Sequence, residues 1–378
     1  MNAAAATASA NVSLSDSSPD RAVATSITPW LNGRSWDLAF LILSVVIVPF
    51  VLLLVHLRVP ADFINLGVAG VIGGPHLFST YTATYLDRGF RKRNMALLVA
   101  ATLIVPTFVF YMAITNFQVL LSFFIFVASL HLLQQNAYIT DIYRRRAGTV
   151  EPRWSRWIDI ALLMVGFYPV ATYKIVHDDF FLGDVKIIVP QVFMQPLTYW
   201  AISIFFGTAL VLWVAKSLVE WRKGTLNKPK TLLIGVTTVT AFLIPAAAGG
   251  ERLELAFQAA NAWHSFQYLA LVWLINRMRL EHGHMQSSIT SRVSGVGSAF
   301  RFYGLVLATT LALFGVILLL KWTNPLGLSP DQYYYGMILS PLLIHYVLDA
   351  FLFAFGARRG SSIEAVPYAA PATLSVSP

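Results

Sequence analysis

Long apolar stretches separated by short polar segments are the feature of this sequence that most restricts its fold. A stretch of about 20 apolar residues crosses the roughly 30 Å hydrocarbon core of a bilayer as a helix. We therefore predict an all-α, polytopic transmembrane helix bundle with about ten spans. The predicted spans lie near residues 36–56, 63–86, 95–115, 118–142, 157–175, 192–217, 230–248, 254–277, 300–320 and 332–356.

The composition agrees with a membrane protein and argues against a soluble one. Hydrophobic residues make up 57% of the 378 residues and charged residues only 12%, whereas soluble domains carry roughly 25% charged residues. The net charge of +9 could indicate nucleic-acid binding. The basic residues, however, form short clusters between the apolar stretches, so we expect no nucleic-acid partner and a lipid bilayer instead.

The distribution of basic residues predicts the orientation of the chain. Loops that follow even-numbered spans carry most of the 27 lysines and arginines, in residues 88–93, 144–156, 222–230, 277–301 and 358–359. Because basic loops remain in the cytoplasm, both termini are predicted to be cytoplasmic, in a multi-pass protein of the inner (plasma) membrane. Residues 1–28 and 359–378 are expected to be disordered cytoplasmic tails, with the transmembrane helical domain between them at 29–358.

Four histidines fall inside predicted spans, where an ionisable side chain is costly unless it has a partner. They are His76, His131, His264 and His345, in the second, fourth, eighth and tenth spans. Each lies roughly 10–14 residues from the outer end of its span, which is about 15–21 Å at 1.5 Å per residue. The four imidazoles are therefore predicted to share one layer near the centre of the bilayer.

Polar residues three or four positions from these histidines lie on the same helix faces. They are Ser79 and Thr80 after His76, Gln134 and Gln135 after His131, Asn261 before His264 with Gln267 and Tyr268 after it, and Asp349 after His345. A metal-bound histidine usually donates its second ring N–H to such a group. Asp349 is the strongest candidate for that role, because it is the only acid deep in a predicted span.

A shared metal or haem site is the interpretation that best accounts for the set of four. A proton or substrate pathway and interhelical hydrogen bonding are the alternatives. The remaining histidines carry weaker signals. His56 is expected at the membrane interface, His177 in a solvated loop, and His282 and His284 in a basic loop, where an H-x-H pair can bind metal.

The sequence contains no cysteine, so thiolate-ligated metals are excluded. Imidazole-rich sites suit iron, copper or zinc, and a redox metal is expected, with haem as an alternative. The histidine layer is surrounded by apolar side chains, so a lipophilic small-molecule substrate is expected. Hydrolysis would require a water path and a general base, which favours oxidation.

The segment Ile72-Gly73-Gly74-Pro75-His76 and the four intramembrane histidines resemble the Brp/Blh-type β-carotene 15,15'-dioxygenase family. The resemblance covers this segment, the apolar layout and the count of histidines. It implies an iron(II)- and O₂-dependent enzyme that oxidises a carotenoid-like double bond. By this resemblance His76, His131, His264 and His345 would be catalytic iron ligands.

Two other functional classes remain open at this stage. One is a haem-binding or electron-transfer membrane protein, with two of the four histidines as axial ligands. The other is a proton-coupled transporter that uses His345 and Asp349 as a relay.

Overall fold

The computed structural model describes residues 28–147, 151–177, 180–182, 184–247 and 253–352. Within these ranges the chain is all-α apart from one small hairpin, so the predicted fold class is confirmed. The predicted disordered tails, 1–28 and 359–378, lie outside the described residues except for Thr28.

Eleven helices are formed by the described residues, and each predicted span falls on one of them. They are α1 (Arg34–His56), α2 (61–83, in the segments Ala61–Gly67, Val68–Gly73 and Gly74–Ala83), α3 (Arg88–Thr115), α4 (Phe117–Arg146), α5 (Arg153–His177), α6 (Pro196–Arg222), α7 (Lys228–Ala247), α8 (Leu253–Glu281), α9 (Ser288–Ser294), α10 (Ala299–Thr323) and α11 (Pro330–Leu352). The hairpin pairs β1 (Phe181–Leu182) with β2 (Val185–Lys186) in antiparallel register between α5 and α6.

The predicted number of spans is wrong. Among the described residues, seven helices are long and apolar enough to cross a membrane: α1, α3, α4, α5, α6, α10 and α11. The predicted spans at 63–86, 230–248 and 254–277 correspond to α2, α7 and α8, which are helical but are not among the helices long and apolar enough to cross a membrane. In α2 and α8 the reason is a series of buried polar side chains, such as Thr80, Gln267 and Asn276, that face other helices.

The orientation of the chain was predicted from the distribution of basic residues over ten spans, and the helices alone do not determine it. The cytoplasmic location of both termini therefore stays a prediction.

The outer surface of the bundle is strongly apolar. Phe300 is 88% exposed and Trp322 84% exposed, both in or beside apolar stretches of α10. In α6 and α10 only 17% of the most apolar segment is buried, against 50% in α4 and α11. Apolar side chains this exposed are stable in lipid rather than in water. The protein is thus a multi-pass membrane protein in which α4 and α11 are central helices.

A π-helical segment interrupts α2 directly before the first histidine of interest. Val68–Gly73 is a π-helix, and an α-helix resumes at Gly74 with Pro75 in its first turn. A Cβ atom at Gly74 would lie 2.2 Å from the Cγ2 atom of Thr310, so only glycine permits this approach of α2 to α10. Such π-turns are frequent at functional sites, and this one sets the position of His76.

A buried ion cluster joins α4, α5, α6 and α7 at one end of the bundle. The carboxylate of Asp159 contacts Lys216, Lys230 at 3.2 Å and Arg144 at 3.1 Å. Lys216, Lys230 and Asp159 are all buried. A buried charge without a partner is strongly destabilising, so this cluster fixes the packing of the four helices.

We expect Asp159→Ala to lower the free energy of unfolding by about 3 kcal/mol, because buried Lys216 loses its close carboxylate partner and keeps only Glu220 at 3.8 Å, while Lys230 keeps Glu151. The matched control is Glu281→Ala, which removes a more exposed ion pair with Arg277 and should cost less than about 1 kcal/mol. Denaturant titration of the purified protein measures both values. Equal losses in the two variants would contradict a special role for the cluster.

Candidate metal centre

The four histidines of the predicted layer meet in the interior of the bundle. His76 lies on α2, His131 on α4, His264 on α8 and His345 on α11, and one potential ligand atom from each lies within 4.8 Å of the others. Their exposed fractions are 2%, 7%, 3% and 0%. Sequence positions that are far apart are thus brought to one point, and the four-histidine group could hold a metal ion.

The imidazole rings form a closed circle of edge-to-face contacts. The ring centroid of His76 lies 4.5 Å from that of His345 and 4.9 Å from that of His264. The centroid of His131 lies 5.0 Å from that of His345 and 5.1 Å from that of His264. The angles between these pairs of rings are 74–87°. Each histidine therefore contacts two others, and their nitrogens face a common space.

At least one ring nitrogen of every histidine in the group is buried without a hydrogen-bond partner among the described residues. These atoms are Nε2 of His76, Nε2 of His131, both nitrogens of His264 and Nε2 of His345. A buried polar atom left unpaired costs about 1–3 kcal/mol. Five such atoms at one point are unusual in a native protein, and a metal ion that accepts one lone pair from each ring would satisfy four of them.

The orientation of His76 is set by the π-turn of α2. Its Nδ1 lies 3.2 Å from the carbonyl oxygen of Gly73. Because a carbonyl only accepts, Nδ1 donates, and the lone pair is left on Nε2. The hydrogen bond to Gly73 thus leaves Nε2 of His76 available to bind a metal.

A chain of short hydrogen bonds orients His345. Its Nδ1 lies 2.6 Å from Oγ1 of Thr80, which lies 2.6 Å from the hydroxyl of Tyr268. Tyr268 in turn donates to Oδ1 of Asp349 over 2.5 Å. With an ionised carboxylate at its end, the chain is satisfied when each group donates to the next, starting from Nδ1–H. The lone pair of His345 is then on Nε2.

The sequence placed Asp349 as the direct partner of His345, and the structure differs in this detail. Oδ1 of Asp349 is 3.5 Å from Nδ1 of His345, and Thr80 occupies the shorter route. The sequence places Thr80 on the same helix face as His76, four residues on, but its contacts with His345 and Asp349 were not predicted. The role of Asp349 beside a metal stays a prediction.

Asp349 also lies close to a second histidine. Its Oδ2 is 3.7 Å from Nε2 of His131. Among the described residues no lysine or arginine lies within 4.0 Å of either carboxylate oxygen. A buried carboxylate without a cationic partner is costly, and a metal ion at the histidines would supply the missing positive charge.

Two of the other polar residues predicted for the site, Gln135 and Gln267, hydrogen-bond to the helix backbones around the histidines rather than to the histidine rings. Nε2 of Gln135 donates to the carbonyl of His264 over 3.2 Å and to Oε1 of Gln267 over 3.1 Å. Gln267 then donates to the carbonyl of Leu41 over 2.5 Å. These bonds join α4, α8 and α1. Gln134 is half-buried, and no hydrogen bond among the described residues connects it to a histidine.

A cavity of about 500 Å³ reaches His76 from one end of the bundle. Asn261 lines it, one turn of α8 before His264, and accepts a hydrogen bond from Ser265 over 3.2 Å. Apolar side chains that include Leu77, Phe78 and Tyr346 form its inner wall. The histidine group is therefore buried but accessible to a small molecule.

The histidines for which weaker signals were seen lie outside this group. His177 is exposed, and its Nδ1 lies 2.7 Å from the carbonyl of Tyr173. His282 and His284 stack with 6.4 Å between ring centroids, and His282 contacts the carbonyl of Met278. His56 ends α1. None of them belongs to the four-histidine group.

We expect each of the single changes His76→Ala, His131→Ala, His264→Ala and His345→Ala to reduce bound metal to less than about a tenth, because each removes one of four ligand nitrogens. His177→Ala is the matched control and should retain full metal content. Elemental analysis of the purified variants gives the result. Equal metal content in all five variants would remove the basis for the site.

Thr80→Val should lower the affinity for metal about 10- to 100-fold, because loss of a group that orients a metal-bound histidine has costs of this size. Thr107→Val removes a similar hydroxyl from an exposed position on α3 and should change nothing. Metal titration against a competing chelator measures both. An unchanged affinity in Thr80→Val would show that the hydrogen-bond chain does not orient His345.

No protein-family model matches this chain, and neither a curated protein nor a solved structure is significantly similar to it.

Proposed function

We propose that the protein is a membrane-embedded iron oxygenase in which four histidines hold the metal and a lipophilic substrate is oxidised beside it. The observation that carries this proposal is the set of buried, unpaired ring nitrogens on His76, His131, His264 and His345. Iron held by such a group would supply the redox chemistry that activates O₂. The protein's own residues would hold the metal, exclude bulk water and position the substrate.

The charge of the site supports a divalent cation rather than four hydrogen-bonding histidines. With Asp349 ionised, four neutral imidazoles and one carboxylate would give the site a formal charge of −1, with no lysine or arginine within 4.0 Å of Asp349 among the described residues. A buried negative charge of this kind requires compensation. Structural hydrogen bonding, the simplest alternative, would also leave ring nitrogens unpaired, so it does not account for the arrangement.

The surroundings of the metal centre favour oxidation over hydrolysis. A hydrolytic metal site requires a general base that is free to accept a proton from water. Asp349 is the carboxylate closest to the histidines, and its Oδ1 already accepts from Tyr268. Apolar side chains such as Leu77, Phe78 and Leu339 line the approach to His76. These features support a lipophilic substrate and a redox metal.

The proposed substrate class is a lipid-like molecule with a reactive double bond. Within this class we propose a carotenoid-like polyene, and the support for it is the resemblance of residues 72–76 to the β-carotene dioxygenases. The family comparisons add no support for it.

The spacing of the rings supports a non-haem centre over a haem. A haem with two axial histidines requires the macrocycle to lie between them. Here every histidine has two others with centroids 4.5–5.1 Å away, and this packing leaves no slot for a planar macrocycle. The haem and transporter hypotheses are outcomes of the experiment that follows.

Protein purified without chelators should contain about one iron per chain and show no Soret band, because the four imidazoles would hold the iron without a porphyrin. It should consume O₂ when a lipophilic polyene is added, and His345→Ala should not. A Soret band would indicate a haem protein instead. Folded wild-type protein without metal would contradict the oxygenase proposal and favour the proton-coupled transporter.

A further inference from the structure

A second cavity, separate from the one that reaches His76, lies between α4, α5, α6 and α8. Its volume is about 390 Å³, within the range of roughly 300–1,000 Å³ that is usual for small-molecule sites. Its walls are almost entirely apolar and include Leu132, Phe167, Ile202 and Ile244. We call it the apolar cavity, and we call the space at His76 the histidine cavity.

The few polar groups in the apolar cavity are already hydrogen-bonded within the protein. The hydroxyl of Ser129 lies 3.3 Å from that of Tyr168, and Thr172 donates to the carbonyl of Tyr168 over 2.5 Å. A cavity without free polar groups does not hold ordered water and binds apolar ligands instead. The exposed side chains of Leu130 and Phe193 also line it, so it opens toward the lipid-facing surface.

Among the described residues, Phe257 is the one that lines both cavities. Its ring packs edge-on against Phe124, with 6.1 Å between centroids. On α8, Phe257 is followed at four and seven residues by Asn261 and His264, positions that lie on one helix face. A single helix face therefore leads from the partition between the cavities to the histidine group.

The outer rim of the histidine cavity is polar and carries an excess of negative charge. Asp62, Asp184 and Asp331 line it and are exposed, whereas Lys321 is the one basic residue among the described lining residues. Three carboxylates against one ammonium repel an anionic group and attract a cationic one. A neutral polar group would also be tolerated there.

We propose that the two cavities together bind one single-chain amphiphile, with a long hydrocarbon tail and a neutral or cationic polar end. The tail occupies the apolar cavity, passes Phe257, and brings the adjoining carbons beside His76, while the polar end lies at the acidic rim. The proposal names the substrate class of the oxygenase suggested above and rests on that function for the reaction. The binding itself does not require the metal.

The test uses the full-length protein in lipid nanodiscs and a fluorescent single-chain polyene amine as the probe. Phe257→Trp enlarges the partition, and Ala171→Phe fills the apolar cavity from α5. Both should weaken probe binding about tenfold without changing metal content. The matched control is Phe205→Trp, an exposed position on α6 outside both cavities, which should bind the probe as the wild type does.

Competition by saturated chains of equal length tests the rim. The long-chain amine and alcohol should displace the probe at concentrations at least about tenfold lower than the carboxylate does. The inference is overturned if the carboxylate competes best, if both cavity variants bind like the control, or if the cavity retains a two-chain phospholipid that the amine cannot displace.

His131→Ala separates this inference from the proposed function, because His131 belongs to the four-histidine group but lines neither cavity. That variant should lose metal and still bind the probe with the dependence on Phe257 described above. Metal loss with retained probe binding supports the cavity assignment whatever the chemistry at the histidines. If the probe does not bind to metal-containing wild-type protein, the substrate assignment is wrong while the metal centre stands.

Discussion

The mutual packing of four imidazoles in the middle of an apolar bundle is the interaction on which the rest of the structure depends. In a medium of low dielectric constant, unpaired ring nitrogens are expensive, and here at least one nitrogen of each ring is unpaired. The packing of α2, α4, α8 and α11 around these rings therefore carries the free-energy cost of burying unpaired nitrogens. A bound cation would offset this cost, because it would accept a lone pair from each of the four rings and neutralise the carboxylate of Asp349.

The surrounding structure holds the four rings so that their lone pairs converge. The π-turn of α2 supplies the carbonyl of Gly73 for His76, and the chain through Thr80 and Tyr268 orients His345. Gln135 fixes the backbone of α8 at His264. Farther away, the ion cluster around Asp159 ties α4 to α5, α6 and α7. These contacts pre-organise the site, which is the main contribution of a protein to metal chemistry.

The positions of the helices and the four histidines could be predicted from the sequence, because apolar length and depth in the bilayer are properties of local sequence. The number of membrane-spanning helices could not be predicted from the sequence, because α2 and α8 carry polar residues that are tolerated only where other helices cover them. The link through Thr80 was missed because its partners, Tyr268 and Asp349, lie nearly 200 residues away or more. The two cavities and their partition at Phe257 also depend on packing between distant helices, which no local pattern reveals.

X-ray absorption spectroscopy of the metal-loaded protein tests the central claim most directly, because it counts the imidazoles bound to the ion. We expect four imidazole nitrogens at about 2.0–2.2 Å from the metal, and three in the fraction of the His131→Ala variant that still holds metal. A spectrum with two or fewer imidazoles, or with oxygen ligands alone, would contradict a four-histidine metal centre.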